Sequence, residues 1–346
     1  MNKNILVKDF EEAIKDFNIS SYFCNKTVLV TGGTGLIGSM VVRFLVYADE
    51  KLKLNLKVLM TARDAKKVIE VFGDEVKVET IEWDASEELY CDHDVDFVIH
   101  TAAITNSKMM ISNPIDVINT SIEGTKKILD FACKKKSTVV YLSSMEVYGN
   151  PGLKRKIKED DLGYIDLANP RSCYPESKRL CENLCTAYSV QKGLHVRIAR
   201  LAQTFGAGVS TKENRVFAQF AKSVVRGENI ILHTLGKSEG NYVYTTDAVV
   251  AILMLLVYGN DGEAYNIANE ESHTTIAEMA EMVATKFGEG CSKVVYDIPE
   301  TDMYGYAPDT ILYLSSEKIR ALGWKANVDL VESYKRMINY MRDEWE

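Results

Sequence analysis

The segment VLVTGGTGLIGS, residues Val28 to Ser39, joins a short β-branched run to an apolar helical stretch through Gly32, Gly33, Gly35 and Gly38. Glycines at these spacings let the backbone turn sharply and let an anion approach with no Cβ in the way. The amides and positive dipole end of the following helix then face that anion. A strand, a glycine turn and a helix in this order predict a site for the pyrophosphate of a dinucleotide, with Gly32, Gly35, Leu36, Ile37 and Gly38 as its contacts.

The chain downstream repeats that rhythm. Short apolar runs (KVLMT, 57–61; VKVETI, 76–81; VDFVIH, 95–100; TVVYL, 138–142; HVRIA, 195–199) alternate with helical stretches at 36–48, 64–71, 114–135 and 174–191. Strands alternating with helices make βαβ units and a parallel sheet covered on both faces. The expected fold is α/β, a Rossmann-type doubly wound parallel sheet with a smaller C-terminal α/β substrate lobe. Residues 1–23 are expected as an N-terminal helical extension packed on the outside. Residues 24–200 plus about 241–268 are expected as the dinucleotide-binding domain, and 201–240 with 269–346 as the substrate-binding lobe.

Composition narrows the function. The 346 residues suffice for a sizeable core, and a formal net charge of -8 gives no electrostatic reason to bind nucleic acid or an anionic membrane. The N-terminus reads as amphipathic and acidic, and the apolar run from Ala248 to Tyr258 is too short to span a bilayer, so a cytoplasmic location is expected. The seven cysteines are scattered without a CxxC pair and read as reduced thiols. The segment CDHDVD around His93 reads as a solvated acidic loop, and no metal is expected.

The choice of dinucleotide turns on the end of the second strand, VLMTARD. Thr61 stands where a carboxylate for the ribose 2′-hydroxyl would stand, and Arg63 suits a 2′-phosphate. That favours NADP over NAD. Asp64 reads as the N-cap of the next helix.

Farther on, SCYPESKR puts Tyr174 and Lys178 one helical turn apart, on one face. An ammonium beside a phenol lowers the phenol pKa and makes it a usable base. Together with the glycine turn, Ser144 in SSMEVYG (143–149), WDA (83–85), VIHTAA (98–103), NTSIEGT (119–125), YVYTTDAV (242–249) and LGW (322–324), this pair resembles the extended short-chain dehydrogenase/reductase family. Within it the resemblance is to nucleotide-sugar epimerases, dehydratases and decarboxylases.

The resemblance implies Ser144, Tyr174 and Lys178 as the catalytic trio and Asp84 and Ala85 beside the adenine. It implies Thr101, Ala102 and Ala103 along the cofactor cleft, with Asn119 anchoring the segment beneath. Thr105, Gln203, Thr204, Arg215 and Tyr244 are the candidate substrate contacts. The common first product is a keto-sugar. Dehydratases of the group carry an Asp-Glu pair after the catalytic hydroxyl, whereas this chain has Met145 and Glu146, and a thioether transfers no proton. The decarboxylases of UDP-glucuronate carry Ser-Glu there, and PRSCYPESKR (170–179) and EVYGNP (146–151) resemble theirs, but Gly240 stands where they have an arginine. The family's other phosphate-binding arginines have no clear counterpart in MYGYAPDTILYLSS (303–316). The expected function is therefore a nucleotide-sugar epimerase, with decarboxylase, 4,6-dehydratase and NADP-linked carbonyl reductase as alternatives and a dinucleotide sensor without turnover as the non-enzymatic one. Glu146 is either a chemical participant or a structural acceptor. The long helical stretches at 113–135 and 174–191 carry more apolar surface than one sheet face needs, which predicts a homodimer.

Overall fold

The computed structural model describes residues 3–73, 78–299 and 309–345. Residues 76–77 of the third expected strand and 303–308 of the arginine-free segment lie outside the described residues. The strands are β1 (Thr27–Thr31), β2 (Lys57–Ala62), β3 (Glu79–Glu82), β4 (Phe97–His100), β5 (Thr138–Ser144) and β6 (Val196–Leu201), then β7 (Gln203–Phe205), β8 (Ile230–Leu232), β9 (Glu239–Tyr244), β10 (Ala264–Ile267), β11 (Asn269–Thr275) and β12 (Val294–Tyr296).

Seven of them form one sheet in the order β10-β6-β5-β4-β1-β2-β3, every pair parallel. The chain steps from β1 outward to β2 and β3, then returns to place β4 on the other side of β1. The sequence order therefore reverses between β1 and β4, where a crevice opens at the carboxyl ends of the strands. Val28, Leu29, Val30, Val98, Ile99, Val139 and Val140 are buried because helices cover both faces of the central strands.

Smaller sheets, β11-β9-β7 and β12-β8, build the later part of the chain. Helices Val216–Val225, Ile276–Phe287 and Leu330–Trp345 pack there around Phe205, Phe217, Tyr242 and Tyr334, with the Phe205 and Phe217 rings stacked at 4.8 Å. Thr275 and Glu278 form a capping box that starts the helix Ile276–Phe287.

Two further helices fill the sheet's outer flank. Helix Thr245–Tyr258 is apolar nearly all round and buried along almost all of its length, so it is a core helix. Against it, and against helix Leu36–Leu52, lies the N-terminal helix Lys3–Asp16, which buries Leu6, Phe10 and Ala13 on one stripe. Asp64 caps helix Ala65–Phe72 as expected, its Oδ1 accepting the Lys66 amide at 2.8 Å. No helix among the described residues is long and apolar enough to cross a membrane.

Candidate active site

The switch between β1 and β4 opens onto a cleft of about 280 Å³. Its floor comes from strand ends: Thr101 and Ala103 after β4, Ser143 and Ser144 at the end of β5, Leu201 at the end of β6, Ala202 after it, and Gln203 and Thr204 in β7. Gly35, Leu36, Ile37 and Gly38 form one wall, and Thr105, Met145, Glu146, Arg171, Tyr174, Lys178 and Arg215 form the rest.

The glycine turn is built for close approach. Gly32 has φ +66°, and a Cβ there would lie 2.8 Å from the Ala102 Cα. A Cβ on Gly38 would lie 2.3 Å from the Gly32 carbonyl oxygen, so no other residue fits at that position. Gly35 is the N-cap of helix Leu36–Leu52 and offers no side-chain cap, which leaves the first amides facing the cleft. Thr61, expected to stand at the ribose, is buried and accepts the Gly32 amide at 3.3 Å, so its hydroxyl fixes the turn. Ser143 Oγ is buried, lines the cleft and has no hydrogen-bond partner among the described residues. An open helix terminus, a turn that excludes Cβ atoms and an orphaned hydroxyl together fit a bound dinucleotide.

Ser144, Tyr174 and Lys178 converge on one end of this cleft. Ser144 Oγ accepts the Glu146 amide at 3.2 Å and lowers the pKa of the neighbouring Tyr174 phenol. Burial pushes the Tyr174 phenol well above its ordinary range, and the Glu146 carboxylate adds to the rise. Ser144, Arg215 and Arg171 oppose it. Lys178 donates to the Leu142 carbonyl at 2.6 Å and stands 5.9 Å from the Tyr174 ring centre; burial draws its pKa down to about 8. It therefore stays mostly protonated at neutral pH. His100, beneath it, bridges Thr31 at 2.7 Å and Thr125 at 3.2 Å, and burial holds its pKa near about 3, so it is a neutral structural link.

Other expected residues lie elsewhere. Ala102 backs the glycine turn, its amide on Thr31 Oγ1 at 3.4 Å. Arg63 is exposed at the end of β2, and its charge reaches Asp84, which already accepts the Ser86 amide and hydroxyl at 2.9 and 2.7 Å. Ala85 sits under Gly124. Asn119 is exposed on helix Pro114–Lys135 and makes no side-chain hydrogen bond among the described residues, because that helix turns this position outward. Tyr244 is fully buried; its hydroxyl donates to Asp9 at 2.5 Å and does not line the cleft. Thr204 lines the cleft but returns its hydroxyl to the Ala202 carbonyl at 3.0 Å.

The structure also adds a residue that carried no expected role. Arg171 forks onto the Glu146 carboxylate, Nη1 to Oε2 at 2.9 Å and Nη2 to Oε1 at 3.2 Å. It sits in the 3-10 turn Pro170–Ser172, held by Asn169, whose side chain accepts the Arg171 amide at 3.0 Å. Its partner Glu146 lies 25 positions earlier, just past the end of β5, so no local spacing announced the pair.

Residues 28–268 match the NAD dependent epimerase/dehydratase family. The chain belongs to that family. UDP-glucuronic acid decarboxylase 1 of Xenopus tropicalis is 29% identical over 321 residues, 93% of this chain and 73% of the relative. UDP-glucuronic acid decarboxylase 3 of Arabidopsis thaliana is 30% identical over 326 residues, 92% of this chain and 90% of the relative. The fold also matches that of the Thermotoga maritima UDP-glucose 4-epimerase, with a TM-score of 0.77, 22% identity and coverage of 92% of this chain and 100% of that one. Family membership makes the chain an NAD-dependent enzyme of the nucleotide-sugar epimerase and dehydratase type.

Proposed function

We propose that the chain oxidises a ring hydroxyl of a nucleotide sugar to a ketone and then returns hydride to the opposite face, as an epimerase. The observation that carries this is the convergence of Ser144, Tyr174 and Lys178 at the cleft, with Met145 where elimination of water would need an acid. When bound, NAD accepts the hydride from the sugar carbon and gives it back. Tyr174 takes the hydroxyl proton, Ser144 hydrogen-bonds the same oxygen, and Lys178 stabilises the phenolate. With its pKa raised by burial, the phenol is a base only when positive charge gathers at the site, which ties proton abstraction to a filled cleft.

A second reading, decarboxylation of a uronate, is favoured by Arg171 and Glu146 in the cleft and by the names of the relatives. Incubating the purified protein with a panel of nucleotide sugars, following mass and cofactor absorbance, tests both. Unchanged mass with a new stereoisomer supports epimerisation, and loss of carbon dioxide supports decarboxylation. Loss of water refutes both. Glu146→Gln separates them further: an epimerase keeps measurable turnover, whereas an enzyme using this carboxylate as acid or base loses about 100- to 10,000-fold.

We infer two finer points on the same footing. Arg63, exposed beside the adenine end, supports acceptance of the NADP 2′-phosphate. Ile115, Ile118 and Leu180, exposed on helices Pro114–Lys135 and Cys173–Lys192, support a homodimer through those helices. A monomeric mass by light scattering at micromolar concentration would count against the dimer.

A further inference from the structure

Four charged side chains line the cleft among the described residues, the cations Lys178, Arg171 and Arg215 and the anion Glu146. They differ in how firmly each is held. Lys178 is fixed to the Leu142 carbonyl. Arg215 lies over the Phe217 ring at 4.9 Å and is paired at 2.7 Å with Glu213. Glu213 itself accepts the amides of Asn214 and Arg215, so that pair is locked to the backbone. The Glu146–Arg171 pair has no such anchor. Among the described residues the Arg171 guanidinium donates only to Glu146, and the Glu146 carboxylate accepts only from Arg171. Each side chain is about one quarter exposed, at 25% and 25%. A planar fork, reachable from the cleft and satisfied by one exchangeable carboxylate, is the geometry that binds a planar anion bidentately.

We propose that Arg171 is the receptor for a carboxylate on the sugar of the substrate and that Glu146 is its internal stand-in. A carboxylate on the bound sugar takes the place of Glu146 on the guanidinium, and Glu146 is released into the cleft beside Ser144. The substrate class is then an acidic nucleotide sugar, whichever reaction follows oxidation. This assignment rests on the nucleotide-sugar reading above.

The test is equilibrium binding of UDP-glucuronic acid and UDP-glucose to the NAD-loaded Tyr174→Phe protein, which holds the sugar without oxidising it. The acid is expected to bind about 10- to 100-fold more tightly than the neutral sugar, and Arg171→Gln with Glu146→Gln in the same background to remove that advantage. Glu146→Gln alone is the sharper probe. Freed of its competitor, Arg171 is expected to hold the acid about 2- to 5-fold more tightly still, with UDP-glucose unaffected. A merely architectural pair gives no such gain, so unchanged or weaker acid binding in Glu146→Gln overturns the proposal. Retention of the acid preference in the double variant also overturns it. Thermal unfolding and NAD affinity report whether each variant folds, and Arg171→Lys, which keeps charge without the fork, is expected to fall between parent and Arg171→Gln. If neither sugar binds a protein that still binds NAD, the nucleotide-sugar reading fails, and this assignment fails with it.

Discussion

The cofactor side of the cleft and the substrate side are made by opposite means. The cofactor side is local: a strand, a turn and a helix within residues 27–52 set the glycines, and one helix, Cys173–Lys192, carries both Tyr174 and Lys178. The substrate side is assembled from distant pieces. Glu146 meets Arg171 across 25 positions of chain, and outside the cleft Tyr244 gives its hydroxyl to Asp9 across 235. Tyr174 and Tyr244 show the contrast best. Both are buried phenols close to a helix start, yet the first faces the cleft with Ser144, and the second is satisfied by a carboxylate from the N-terminal helix. A phenol that already has a buried acceptor is a structural tie.

The largest test of that contrast is Tyr174→Phe. Turnover should fall by about 100- to 10,000-fold, while NAD affinity by calorimetry stays close to the parent value. Tyr244→Phe should leave kcat largely intact and lower the unfolding temperature instead. Comparable loss of kcat in both would erase the distinction. Next in size, Arg63→Ala should weaken NADP binding by about 1.5–3 kcal/mol and leave NAD nearly unchanged. Equal affinities of the parent for NAD and NADP would defeat the role given to Arg63.

This asymmetry is also why the sequence was legible in one half and less so in the other. The glycine turn, the strand rhythm and the YxxxK pair are short-range patterns, each with one dominant physical cause, and they pointed to Gly35, Leu36, Ile37, Gly38, Tyr174 and Lys178, which share one cleft with the Ser144 that the resemblance implied. Thr61 was seen as a missing acid, but its bond to the Gly32 amide depends on β1 and β2 lying side by side, which no local pattern reports. Arg171 went without a role for the same reason: its partner is fixed by where β5 ends relative to the start of helix Cys173–Lys192. Tyr244 was misplaced because the acceptor lies in the first helix, whose sequence shows only an apolar stripe with an acid beside it.

Asp9 is the next probe of the long-range side. Its carboxylate is fully buried, accepts the Tyr244 hydroxyl and pairs with Arg336 at 2.6 Å. Burial raises its pKa, while the phenol and the guanidinium pull it down. Arg336 also holds Glu12 and Glu332, so Asp9→Ala does not strand the guanidinium. The expected cost is that of an unsatisfied buried hydroxyl, about 1–3 kcal/mol, measured by urea unfolding. Loss of nucleotide-sugar binding with unchanged stability would instead return Tyr244 to the substrate site.

The last test concerns the loop Asn327–Val328, tied to the first turn of the core helix Thr245–Tyr258. Asp247 accepts the amides of Asn327 at 3.1 Å and Val328 at 3.0 Å, and burial raises its pKa from the ordinary 3.8 to about 7. Asp16 adds to that rise, and the two amides and Arg336 oppose it. Between about pH 4 and 7 the unfolded chain has lost this proton while the folded protein keeps it, so stability falls as pH rises through that window, by at most about 1.4 kcal/mol per pH unit from this one group. Above about pH 7 the loss is complete and the slope vanishes. Both amides bond the same oxygen, Oδ2, so Asp247→Asn removes the titration and keeps an acceptor for both. Relative to the parent, the variant should therefore be least stable near pH 4 and recover by pH 8. Urea unfolding of both proteins at pH 5 and pH 8 measures the difference. Parallel stability profiles would show that Asp247 is already ionised in the folded protein at pH 5, with the two amide donors outweighing burial.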